Sequence, residues 1–182
     1  MKKINIYLWL FVVICGVCAS IINFDGDIVI LLKNISIIFS ASLLYIYQFI
    51  FKKNVNNGLI MLWIIFVFMA HFIGVIIGGY DIIPFYDKVT HTLSGILTAY
   101  AAILISKHYK VNNLFFSILF IISFSCFWAV IWEIFEFICN IFFGGDAQKV
   151  METGVDDTML DMIVAFIGSI ITGGIYYIKN VK

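Results

Sequence analysis

The sequence predicts an all-α, polytopic membrane bundle of about six transmembrane helices with both termini cytoplasmic, and three observations carry that expectation. Hydrophobic residues fill 63% of the 182 positions and charged residues only 12%, with a mean hydropathy of +1.09, too apolar for a water-soluble domain of this length. The apolar residues fall into runs of roughly 20, the length that crosses a hydrocarbon core. Most lysines sit in alternate breaks between those runs.

Taken in order, the first run extends from Ile6 to Phe24 and stops at the turn signal Asp25-Gly26-Asp27. Met1-Lys2-Lys3 ahead of it resembles a signal-peptide start, but the run is long enough to span and the small-residue pattern at Cys18-Ala19-Ser20 is weak, so an uncleaved first helix is expected. The second run lies between Ile28 and Phe51; Lys33-Asn34 interrupts it and suggests an interfacial beginning. Lys52, Lys53 and the asparagines through Asn57 close it. The third, Leu59 to Ile77, carries His71 and ends in Gly78-Gly79, with Gly74 and Gly78 forming a small-xxx-small pair. A fourth begins after Pro84 near Asp87 and ends before Lys107. The fifth runs from Leu114 to Phe142, and the sixth from Asp156-Asp157 to just before Lys179, lightened by Gly168, Gly173 and Gly174. No repeat, low-complexity tract or linker divides the chain, so residues 1–182 are expected to form a single integral membrane domain.

Lysine placement orients the bundle. Lys2, Lys3, Lys52, Lys53, Lys107, Lys110, Lys179 and Lys182 fall on one side, leaving Lys88 and Lys149 as the loop lysines of the other, so the first side is cytoplasmic. Asp25, Asp27, Asp81, Asp87, Asp146, Glu152, Asp156 and Asp157 then lie at or beyond the outer helix ends. The sequence contains no arginine, which removes bidentate phosphate clamping and argues against a nucleic-acid partner. Cys15, Cys18, Cys126 and Cys139 lie within apolar runs, where packing is the expected role even for the Cys15/Cys18 pair.

The fifth run holds the least expected residues. Phe-Trp-Ala-Val-Ile-Trp-Glu-Ile-Phe-Glu-Phe, residues 127–137, places Glu133 and Glu136 on one helix face at a depth where each ionised carboxylate costs at least about 2 to 3 kcal/mol. Asp87 and His91 are four positions apart, as are Asp157 and Asp161, so each of three helices offers a polar face. At about 1.5 Å per residue these groups, with His71, reach one layer of the outer leaflet. That convergence suits a divalent metal, with zinc, manganese, iron or magnesium compatible with mixed oxygen and nitrogen ligands. His91, Glu133, Glu136 and Asp161 are the principal candidate ligands, with Asp157 and His71 as further ones, and Asp87 orients His91. Catalytic roles fall to Glu133, Glu136 and Asp87.

Plainer readings compete. Asp87 and Asp157 stand where helices begin and could serve as caps. His71 could be a hydrogen-bonded packing residue, and Glu133, Glu136 and Asp161 could be protonated or paired with Lys88. A serine triad of Asp87, His91 and Ser94 is disfavoured, because parallel side chains on one helix do not reach triad geometry.

The segments Tyr86-Asp87-Lys88-Val89-Thr90-His91 with Gly95, Trp132-Glu133 with Glu136-Phe137, and Asp157-Thr158-Met159-Leu160-Asp161-Met162 with Gly168 resemble the YjdF-like family of bacterial inner-membrane proteins. That family's pattern is Tyr-Asp-Arg-x-x-His, a glutamate-rich helix, then Asp-Thr-Gln-x-Asp-Met. This chain departs from it at Lys88, Thr92 and Met159. A looser resemblance is to VanZ-like proteins, with Asp-Lys-x-x-His on one helix. The resemblance implies a multi-pass protein of the bacterial cytoplasmic membrane acting at its outer face. It singles out Asp87, His91, Glu133, Glu136, Asp157 and Asp161 but supplies no reaction.

Three functions follow as expectations. One is a metal-dependent enzyme acting on a lipid or cell-envelope substrate among the membrane lipids. Another is a proton- or cation-coupled transporter, disfavoured by the lack of charged residues in the inner halves of the last three helices. The third is a noncatalytic resistance or assembly factor whose polar layer fixes helix register.

Overall fold

The computed structural model describes residues 1–23, 26–144, 146 and 148–181, so Phe24, Asp25 and Lys182, used above for the first turn and the lysine pattern, lie outside the described residues. Among the described residues the elements are all helical: α1 (Lys2–Ile22), α2 (Ile28–Phe51), α3 (Asn57–Val67) running on as a π-helical stretch (Phe68–Ile76), the one-turn α4 (Gly79–Ile82), α5 (Tyr86–His108), α6 (Leu114–Phe143), the one-turn α7 (Val150–Thr153) and α8 (Asp156–Asn180). Six of these helices are long and apolar enough to cross a membrane, as the sequence predicts. Polar breaks start them by capping. Asp27 accepts from the Val29 amide at 2.7 Å, Asn56 from those of Gly58 and Leu59, and Asn113 from that of Phe116 at 2.9 Å.

Two compact units divide the chain, residues 1–86 and 87–182. In the first, Val12 of α1, Ile37 and Ala41 of α2, and Ile60, Ile64 and Val67 of α3 form the core. Polar side chains add bonds between helices, the usual adhesive where lipid weakens any hydrophobic drive. Trp9 donates to the Ser42 hydroxyl at 2.9 Å and Trp63 to the Ser40 carbonyl at 2.8 Å. Asn34 does the same toward α1: it is 2% exposed and its amide donates to the Ala19 carbonyl at 3.2 Å. Across Lys33-Asn34, α2 is continuous, with Asn34 turned inward.

Beyond Val67 the third span winds more loosely, ending with the Ile77 amide bonded to Phe72 O, five residues back, at 2.9 Å. Gly78, at φ 83°, turns the chain out of the helix, so it does not pair with Gly74 on one face. Gly74 instead leaves room for the Tyr80 ring.

The second unit consists of α5, α6 and α8 with the short α7. Ala99, Ala102 and Ile103 of α5 meet Ile121 of α6 in its core, and Phe124 and Tyr176 pack against them. Hydroxyls link α5 to α6: Thr98 Oγ1 lies 2.9 Å from Ser125 Oγ, and Ser106 Oγ lies 3.0 Å from Ser117 Oγ. Between α5 and α8 the backbones nearly touch. A methyl group at Gly95 would strike the Ala165 carbonyl, and one at Gly168 the Thr92 carbonyl. This close approach brings the polar first turns of α5 and α8 together.

Candidate functional site

The start of α5 is set by a short run of constrained backbone. Pro84 disfavours a helical Ile83, which is extended at φ −103°, ψ 116°, and Phe85 then takes a left-handed φ of 59°, an uncommon conformation for an aromatic residue. Helix α5 begins at Tyr86, whose hydroxyl donates to the Met69 carbonyl at 2.8 Å within the first unit. Asp87, Lys88 and His91 thereby occupy the first turns of α5. On α8, the capping position is Val155 and makes no side-chain bond, so Asp157 is not the cap. Its carboxylate turns to Lys88 instead.

Lys88 is the centre of the arrangement. Its Nζ lies 2.8 Å from both Oδ1 and Oδ2 of Asp161, 2.5 Å from Asp157 Oδ1, 3.3 Å from Asp87 Oδ2 and 3.4 Å from the Asp157 carbonyl. His91 Nε2 lies 3.4 Å from Asp87 Oδ1 and 3.8 Å from Asp161 Oδ1. Asp161 is 2% exposed, Asp157 7% and His91 8%, so the carboxylates are withdrawn from solvent and held by the ammonium. Three carboxylates surround one lysine.

Helix α6 brings the remaining carboxylates. Glu133 is buried; its main-chain carbonyl and Oε2 accept from Gln148 Nε2 at 3.1 and 3.4 Å. Glu136, half-buried, accepts from Trp132 Nε1 at 2.7 Å. Both glutamates lie within electrostatic range of His91. Glu133 Oε1 and Asp157 Oδ2 are buried oxygens without a hydrogen-bond partner among the described residues. Such atoms are costly to bury without a partner, and a proton or a cation would satisfy them.

Among the described residues, the acid and imidazole groups whose ligand atoms all lie within 4.8 Å of one another are Asp87, His91 and Asp161. Glu133, Glu136 and Asp157 stand around that trio. His71 belongs to the first unit, where its Nε2 lies 3.1 Å from Ser36 Oγ and 3.2 Å from the Lys33 carbonyl. Lys88, counted above as a loop lysine, is a residue of α5 with its side chain 17% exposed. Gln148 had no sequence signal, since its only mark is a loop position ahead of α7. The arrangement can hold protons or a cation, and it can fix α5 against α8.

Six apolar helices and a buried cluster of opposite charges define a multi-pass membrane protein with a polar site in its C-terminal unit. The chain belongs to the family described as Predicted membrane protein (DUF2238), whose model matches residues 4–181. No curated protein and no solved structure matches it.

Proposed function

We propose that this protein is a metal-dependent membrane enzyme, acting on a lipid or cell-envelope substrate, with Asp87, His91 and Asp161 as the metal ligands. The observation that supports it most is their mutual reach of 4.8 Å, set beside carboxylates that outnumber the cations present. A divalent ion there would supply a Lewis acid and a water of lowered pKa. Glu133, buried and held on one side by Gln148, has an Oε1 with no partner among the described residues that can accept a proton, and Glu136 is the second basic group on the same face. The order of the Asp87–His91, Glu133–Glu136 and Asp157–Asp161 segments favours the narrower likeness to YjdF-like proteins. With it goes a place in the bacterial cytoplasmic membrane, termini inside and the site in the outer leaflet.

The test is metal analysis of the detergent-purified protein beside a His91→Ala, Asp161→Asn double variant. Metal present in the first and lost from the second supports the reading. A second reading is favoured by the three bonds from Lys88 to Asp157 and Asp161: a noncatalytic membrane factor in which the ion pairs fix helix register. Metal-free wild-type protein together with an intact phenotype for Glu133→Gln would select it over the enzyme.

A further inference from the structure

A lysine ammonium has three N–H donors, yet five oxygens lie within 3.4 Å of Lys88 Nζ: both of Asp161, one each of Asp157 and Asp87, and the Asp157 carbonyl. Such an all-oxygen surplus is the ligand set of a hard cation rather than the need of an ammonium. Asp161 Oδ1 also faces His91 Nε2 at 3.8 Å, so one carboxylate lies between the lysine and the trio described above. The remaining oxygen of Asp157 is buried and has no hydrogen-bond partner among the described residues, on a side chain only 9% exposed.

We propose that Lys88 is the tethered monovalent half of a two-cation carboxylate site, standing where a second divalent ion would stand, so that the protein takes one metal ion and not two. This rests on the metal site proposed above and deepens it. Paired metal centres set two ions about 3.5 to 4 Å apart, commonly across a shared carboxylate. Here Asp161 and Asp87 are the shared groups, each facing both Lys88 and His91, His91 completes the divalent half, and Asp157 completes the half filled by the ammonium. Lys88 is accordingly a positioning residue, and it keeps the total positive charge below that of a dinuclear centre.

The experiment loads the full-length detergent-purified protein with manganese and reads stoichiometry by elemental analysis and nuclearity by electron paramagnetic resonance. Wild type is expected to hold one manganese per chain with the signal of an isolated ion. Lys88→Gln is expected to hold two, with an exchange-coupled signal, and Lys88→Arg to hold one. A folded Lys88→Gln that still holds one ion overturns the inference and leaves the metal site standing, whereas a wild type that takes no manganese overturns both. Should Lys88→Gln fail to fold, Asp157→Asn decides: it is expected to keep one manganese with affinity changed less than threefold. Loss of that ion would place Asp157 in the divalent half and refute the division.

Discussion

Lys88 Nζ of α5 lies 2.8 Å from each carboxylate oxygen of Asp161 of α8, a two-oxygen ion pair one to two turns from the close backbone approach of those helices at Gly95 and Gly168. Pair and close approach depend on each other. Small residues bring the helices near enough for a lysine stem to cross, and the crossing neutralises carboxylates that would otherwise resist burial.

Removing the ammonium is therefore expected to be costly. Lys88→Met leaves buried carboxylates without a counterion and should destabilise by about 3 to 5 kcal/mol in metal-free detergent solution. Thermal unfolding followed by size exclusion measures it. Lys88→Arg should retain most of the stability, and unchanged melting of the methionine variant would show that the ion pairs contribute nothing.

The close approach can be tested without touching charge. Gly95→Ala drives a methyl group into the Ala165 carbonyl and should cost at least about 1 to 3 kcal/mol. Gly174 is the control, with no atom of the described residues within 4 Å of an added methyl. There the same change should be neutral or stabilise by up to about 1 kcal/mol, because alanine favours helix.

Metal affinity should separate the histidines. His91→Ala is expected to weaken manganese binding at least tenfold, the loss of about 1.4 kcal/mol or more. His71→Ala, whose ring is already engaged by Ser36 and the Lys33 carbonyl, should leave it unchanged. Isothermal titration compares the two, and equal losses would count against the assignment to Asp87, His91 and Asp161.

Gln148 is expected to hold Glu133 in place. Gln148→Ala removes the donor to the Glu133 carbonyl and Oε2 and should cost about 1 to 3 kcal/mol, the penalty for stranding buried acceptors. Hydrogen exchange along the end of α6 should quicken with it. Protection equal to wild type would show that the contact carries no weight.

Orientation has its own measurement. In a cysteine-free background of intact cells, an impermeant thiol reagent should label Lys149→Cys and spare Lys53→Cys and Lys110→Cys. Reversal of that pattern would put the polar site in the cytoplasmic leaflet.

The six spans could be read directly because runs of about 20 apolar residues between polar caps have few other outcomes in a chain this hydrophobic. The pairs Asp87/His91 and Asp157/Asp161 were legible for a similarly local reason, since four residues return a helix to the same face. In the sequence Lys88 is one partner that Glu133, Glu136 and Asp161 could pair with, and the structure pairs it with Asp161; its central place was not legible. Adjacent to Asp87, it points by spacing to a different face, and only its long flexible stem lets the ammonium return to the aspartates. The π-helical turn at Phe68–Ile76 left no mark either, because its residues have the apolar pattern of any span. The inward role of Asn34 was not legible either, because its partner, the Ala19 carbonyl, lies on another helix.

The hydroxyl contacts between α5 and α6 bear on how the chain is made. Thr98 with Ser125 and Ser106 with Ser117 pair two helices joined by a short turn, in hydrocarbon where water does not compete for those groups. That hairpin can form while the last helix is still emerging from the ribosome, and it presents Lys88 to the newcomer. If α8 inserts after that hairpin, Asp157 and Asp161 meet the Lys88 ammonium as they arrive rather than entering lipid alone.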